Sequence, residues 1–111
     1  MRQIIEELNA AFRPPRPVYL ALHHDGGYYH LRWRAPGETG GRRFVELCTS
    51  DAGRQVLQAL PSTVRGVVLS FEHWRLDLNL ASSLCRHEWR RLRDYMAKLD
   101  ALEACQRKFP E

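Results

Sequence analysis

The chain has 111 residues, 44% hydrophobic and 27% charged, with 17 Lys plus Arg against 13 Asp plus Glu for a net charge of +4. That size predicts one domain over residues 1–111 with a single modest core, and no apolar run approaches the roughly 18 residues needed to cross a membrane. Glu6 and Glu7 interrupt the segment where a signal peptide would be apolar, so the expected location is cytoplasmic, with no membrane partner.

Residues 1–12 set Ile4, Ile5, Leu8, Ala11 and Phe12 on one helical face, which predicts a helix over 1–13. Pro14, Pro15 and Pro17 then remove amide donors and favour an extended path. A sheet is expected across 17–49. Its first strand, 18–23, alternates Val18, Leu20 and Leu22 against Tyr19, Ala21 and His23, and Asp25-Gly26-Gly27 suits a tight turn. If Gly26-Gly27 is the two-residue loop, His23 falls opposite His30. The second strand, 28–34, alternates Tyr29, Leu31 and Trp33 against Tyr28, His30, Arg32 and Arg34, the period of a half-buried strand. Pro36, Gly37, Gly40 and Gly41 make 35–41 a loop, and 42–48 a third strand. Val45 and Leu47 should join Val18, Leu20, Leu22, Tyr29, Leu31 and Trp33 on the buried face. Arg42, Phe44 and Glu46 should stand beside Arg32 and Arg34 on the open one.

Thr49 and Ser50 are good N-caps, Asp51 complements the helix dipole, and Val56, Leu57 and Leu60 give an apolar side to a short helix over 50–60 that Pro61 stops. Residues 63–107 form the expected helical region. A strand reading of 67–80, from the alternation of Trp74, Leu76, Leu78 and Leu80, competes there with helical spacing. The helix accommodates more positions: Val64, Val67, Phe71, Trp74, Leu78, Ala81, Cys85, then Leu92, Tyr95, Leu99 and Leu102 recur three and four apart, with only Glu88 breaking the seam. Leu69, Leu76, Leu80 and Leu84 form a second stripe, and Ser82 or Ser83 could cap a new helix after a break at 79–83. The fold class is therefore α+β: a three-stranded antiparallel sheet with an N-terminal helix, a short helix after the third strand, and a long C-terminal helix or helical hairpin.

Motifs for chemistry are eliminated one by one, which predicts no enzyme, no catalytic residues, no metal and no cofactor. His87-Glu88-Trp89-Arg90-Arg91 opens like a metalloprotease helix, but Arg91 stands where the second histidine is required. His23, His24, Asp25 and His30 cluster at the first turn, too few imidazoles for a structural metal site. Arg42-Arg43 follows the glycine loop where a nucleotide-binding loop needs Lys and Ser or Thr. Three cysteines, Cys48, Cys85 and Cys105, lack a paired spacing and a neighbouring base, and are expected to be reduced and buried. Trp33, Trp74 and Trp89 sit in apolar series as core anchors.

The basic residues carry the functional signal. Only Lys98 and Lys108 are lysines, and the remaining cations are arginines, whose planar fork suits phosphate and carboxylate. A GC-rich coding sequence would produce the same bias. On the open sheet face, Arg32, Arg34, Arg42 and Arg43 can neutralise phosphates while Tyr28, His30 and Phe44 contact bases or sugars. A helix laid over that face would instead make these residues ordinary core. Arg86, Arg90 and Arg93 share a helical face and form a second basic surface, or a solvated one.

The order strand, glycine turn, aromatic strand, loop, basic third strand and helix from Thr49-Ser50-Asp51 resembles the three-stranded arm-type DNA-binding domain of phage-type tyrosine recombinases over residues 17–60. That resemblance implies a sheet face laid into the DNA major groove. The order helix, three strands, helix also matches a double-stranded RNA-binding domain, but Thr49-Ser50-Asp51-Ala52 offers an acid where that family places lysines. The expected partner is nucleic acid, DNA ahead of RNA. The alternative is a protein-binding adaptor or inhibitor, phage- or plasmid-encoded, that meets an acidic protein surface through its apolar seam or arginine face. Trp89, Leu92, Tyr95, Met96 and Leu99 are expected to form a homodimer, with an intramolecular hairpin between 63–80 and 83–107 as the competing arrangement.

Overall fold

A computed structural model describes residues 1–14, 16–26, 28–36 and 42–109, with Arg42 by its backbone alone. Helix α1 spans Arg2–Ala11, strands β1, β2 and β3 span Tyr19–Asp25, Tyr28–Pro36 and Arg42–Val45, and helices α2 and α3 span Asp51–Ala59 and Ser62–Lys108. The strands form one antiparallel sheet in the order β1-β2-β3. This is the α+β arrangement expected from the sequence. No helix among the described residues is long and apolar enough to cross a membrane.

The hairpin register places His23 opposite His30 and Asp25 opposite Tyr28, with Gly26 at a φ of 58°, a conformation that costs a side chain but not glycine. Gly27 and the expected loop residues Gly37, Gly40 and Gly41 lie outside the described residues. Strand β2 runs two residues past Arg34, because Ala35 pairs with Arg43 and packs into the core. Strand β3 stops at Val45, short of the expected Cys48, yet Leu47 is still fully buried from the turn that follows.

Ile4 and Leu8 of α1, Val68 of α3 and Leu57 of α2 pack with Leu20, Leu31, Trp33 and Val45 in one buried cluster. All three helices therefore draw on the same face of the sheet. Ser50 caps α2 by accepting a hydrogen bond from the Gly53 amide at 3.0 Å. Gly53 itself is a packing requirement, since a Cβ there would lie 2.0 Å from the Glu46 carbonyl oxygen. Arg65 closes the far end of α2, donating to the carbonyls of Leu57 at 2.8 Å and Leu60 at 2.9 Å.

Helix α3 is a single helix of 47 residues, so neither the strand over 67–80 nor the break at 79–83 with its intramolecular hairpin occurs. At 1.5 Å per residue it is roughly 70 Å long, and it sets the long axis of a molecule measuring 75 × 26 × 22 Å. The polar residues that resembled a break are its attachment points. Asn79 accepts from the Leu31 amide at 2.7 Å and donates to the Leu31 carbonyl at 3.0 Å, and Ser82 donates to the Tyr29 carbonyl at 2.8 Å. Strand β3 pairs with β2 only from Trp33 onward, leaving that stretch of β2 edge for α3 to fill.

Beyond Arg86 the helix leaves the body of the molecule. Trp89 is consequently 64% exposed and not a core anchor, unlike buried Trp33 and half-buried Trp74. The cysteines are also exposed, contrary to expectation: Cys48 lies in the turn after β3, Cys85 lies just before Arg86 on α3, and Cys105 lies on its outlying part. Tyr29 is exposed as well, because β3 does not reach it; its ring packs 4.5 Å from that of His24.

Candidate nucleic-acid interface

Alternation along β1 and β2 turns Tyr19, Ala21, His23, Tyr28, His30, Arg32 and Arg34 to the face opposite the buried cluster, and the pairing of Arg34 with Phe44 adds the β3 ring to them. The helices that could have covered this face pack on the other one. Cross-strand neighbours of this kind meet through side chains about 5 Å apart, and here they assemble into a continuous cation–aromatic row. Arg32 lies 3.7 Å over the centroid of the Phe44 ring, with Arg34 at 5.0 Å. His23 meets Phe44 edge-on at 5.9 Å and His30 at 4.9 Å, and Tyr28 stacks on His30 at 5.2 Å. The row ends on α3, where Arg86 sits 4.9 Å over Tyr28.

Phe44 is 39% exposed, and its ring carries the Arg32 and Arg34 guanidiniums beside it. Burial first, then the charges of His23 and Arg32, hold the His30 imidazole below its ordinary 6.5, while Asp25 opposes them. Among the described residues, no carboxylate lies within ion-pair distance of Arg32, Arg34 or Arg86, and the Arg34 Nε is buried without a hydrogen-bond partner.

Arg43 and Glu46 fall outside the row. Arg43 pairs with Ala35, which places it on the core side of the sheet, exposed at the rim. The Arg42 side chain lies outside the described residues. Glu46, expected beside Arg32 and Arg34, lies past the end of β3, and its carboxylate is 3.9 Å from Arg75 on the other side of the sheet. The basic face is thereby relieved of an acid.

The residues that hold the site in place were not visible as such in the sequence. Trp33 Nε1 donates to Glu72, Glu72 accepts from Arg75 at 2.7 Å, and Arg75 donates to the Leu31 carbonyl at 3.1 Å. Glu72, Arg75, Asn79, Ser82 and Arg86 recur at spacings of three and four, a polar seam along α3 with the periodicity normally reserved for apolar contacts. The same spacing continues to Arg90 and Arg93, exposed on the free part of the helix, so the second basic surface extends the row that ends at Arg86. Beside this junction Tyr28, Tyr29, Ser82, Cys85, Arg86 and Trp89 line an open cleft of about 410 Å³.

Among the described residues, no group of three or more His, Cys, Asp or Glu side chains is placed to hold a metal ion. Comparison with protein families, characterised proteins and solved structures yields no match to this chain.

Proposed function

We propose that this chain is a non-enzymatic nucleic-acid-binding protein, with DNA ahead of RNA as its ligand, and with an accessory or regulatory role. The observation that carries the proposal is the placement of the Arg32 and Arg34 guanidiniums over the Phe44 ring, 3.7 and 5.0 Å from its centroid, on a sheet face left free by the helices, with no carboxylate partner among the described residues. A guanidinium held over a ring is already positioned, and so loses less side-chain entropy when it meets a phosphate. Arg86, Arg90 and Arg93 continue the positive track along α3, while Tyr28 and His30 supply contacts to sugars or bases. DNA is favoured by the resemblance of residues 17–60 to the arm-type domain, in which such a face enters the major groove.

The test is fluorescence anisotropy with labelled single-stranded DNA, duplex DNA and duplex RNA over a salt series. For duplex DNA each neutralised phosphate contributes a slope of about −0.9 in log affinity against log salt. Arg32→Ala with Arg34→Ala should lower that slope by about 1.8 and weaken binding, with unfolding midpoints unchanged. Unchanged affinity in the double variant would remove the sheet face from the site. Absence of binding to all three probes would favour the protein-adaptor reading.

A further inference from the structure

We infer that the outlying part of α3 pairs antiparallel with the same segment of a second copy of this chain, with the two-fold axis close to Met96. Trp89, Leu92, Tyr95, Met96 and Leu102 are 64%, 50%, 59%, 49% and 52% exposed. Their spacing gathers them with Leu99 into one stripe along residues 85–108, roughly 35 Å of helix. An amphipathic helix of this length takes most of its stability from packing of its apolar face. At on the order of 100 Å² of exposed surface for each of these side chains, one arm offers several hundred Å² of apolar area, comparable with the about 800 Å² per partner of a standard interface.

The position of α1 selects the orientation. The stripe continues the face of α3 that carries Phe71, Trp74 and Leu78, and α1 lies alongside that face: Glu7 lines one open cleft with Phe71 and Trp74, while Met1 and Arg2 line another with Ser82. Cover from α1 therefore ends where the free stripe begins. A parallel second copy would bring both α1 helices into the space between the two α3 helices at one end, forcing them to splay. An antiparallel copy keeps the two α1 helices at opposite ends, each abutting the tip of the other arm.

Charge selects the same arrangement. Residues 86–93 contain Arg86, Arg90, Arg91 and Arg93 against Glu88, whereas residues 94–103 contain Asp94, Asp100 and Glu103 against Lys98. Antiparallel pairing sets the basic stretch of each arm against the acidic stretch of the other, and an axis near Met96 brings Arg93 beside Asp100 of the second copy, twice. Parallel pairing in register opposes like with like.

Sedimentation equilibrium of the full chain tests the pairing, and a charge swap tests its direction. A mass near twice 13.0 kDa at tens of micromolar is expected, and a mass that stays at 13.0 kDa overturns the proposal. Arg93→Asp alone and Asp100→Arg alone should each raise the dissociation constant by about tenfold, and the two together should restore it to within about threefold. A dimer in which the double variant is as weak as the singles, or in which mild oxidation joins Cys85 to Cys85, would overturn the antiparallel orientation.

Discussion

The Trp33 indole nitrogen donates to the Glu72 carboxylate at 2.9 Å, linking the centre of the sheet to the middle of α3 across the core. Glu72 also binds Arg75, and both side chains are about nine-tenths buried. Glu72 thus satisfies an indole and a guanidinium that would otherwise be buried without partners. This pair determines where α3 crosses β2, and hence where Arg86 meets Tyr28.

Glu72→Ala should destabilise the fold by about 3–5 kcal/mol, because it leaves the Arg75 charge buried and unpaired. Trp33→Ala, which empties a fully buried site, should cost a similar amount, about 3–5 kcal/mol. Urea unfolding of both variants checks this. A Glu72→Ala protein as stable as the wild type would mean that α3 is not anchored through this pair.

Asn79→Ala should be milder. Arg75 still donates to the Leu31 carbonyl, so the change orphans chiefly the Leu31 amide, at about 1–3 kcal/mol. Asn79→Asp keeps an acceptor for that amide and should lie between the two. Hydrogen exchange at Leu31 supplies the site-specific readout, with faster exchange expected in Asn79→Ala.

Much of this arrangement was legible in the chain. The spacing of His23 and His30 about Gly26 matches the register that pairs them, and strict alternation separates Leu31 and Trp33 from Arg32 and Arg34. Ser50 announces α2. Glu72, Arg75, Asn79 and Ser82 were harder to place, since polar residues in a helix ordinarily mark its solvated side and here they grip a strand edge. The same difficulty hides Gly53, which lowers helix propensity but admits the Glu46 carbonyl. Apolar spacing likewise cannot distinguish a face covered within the chain from one left free, which is why Trp89 and Cys85 read as core.

A pH dependence follows from His30. Its folded pKa lies below 6.5, so the folded state binds fewer protons than the unfolded one as pH falls through that range. Stability should be greatest above pH 6.5 and decline as pH drops through 6.5 toward the folded value. His30→Asn should flatten this part of the profile. A polyanion on the face favours the charged imidazole, so binding to DNA should tighten over the same interval. A binding profile that is flat from pH 7.5 to 5.5 would place His30 away from the ligand.

Ending the chain after His87 should leave the sheet and its anchors folded, since Arg86 makes the last described contact between α3 and the hairpin. The truncated protein should unfold at a midpoint independent of its concentration, whereas the midpoint of the full chain should rise with concentration. Circular dichroism melts at two concentrations a hundredfold apart decide the matter.

The Asn79 amide presents one donor and one acceptor to Leu31, the same pair that a neighbouring strand would offer. It ends the sheet by imitating its continuation. An exposed strand edge recruits further strands, from other copies or from misfolded chains, and proteins commonly guard such edges with charge, proline or a bulge. In this chain the guard is a helix side chain, held by the Glu72–Arg75 pair. Variants that loosen α3 should therefore aggregate through β2 before they unfold completely, so that solubility becomes an early sign of a failing anchor.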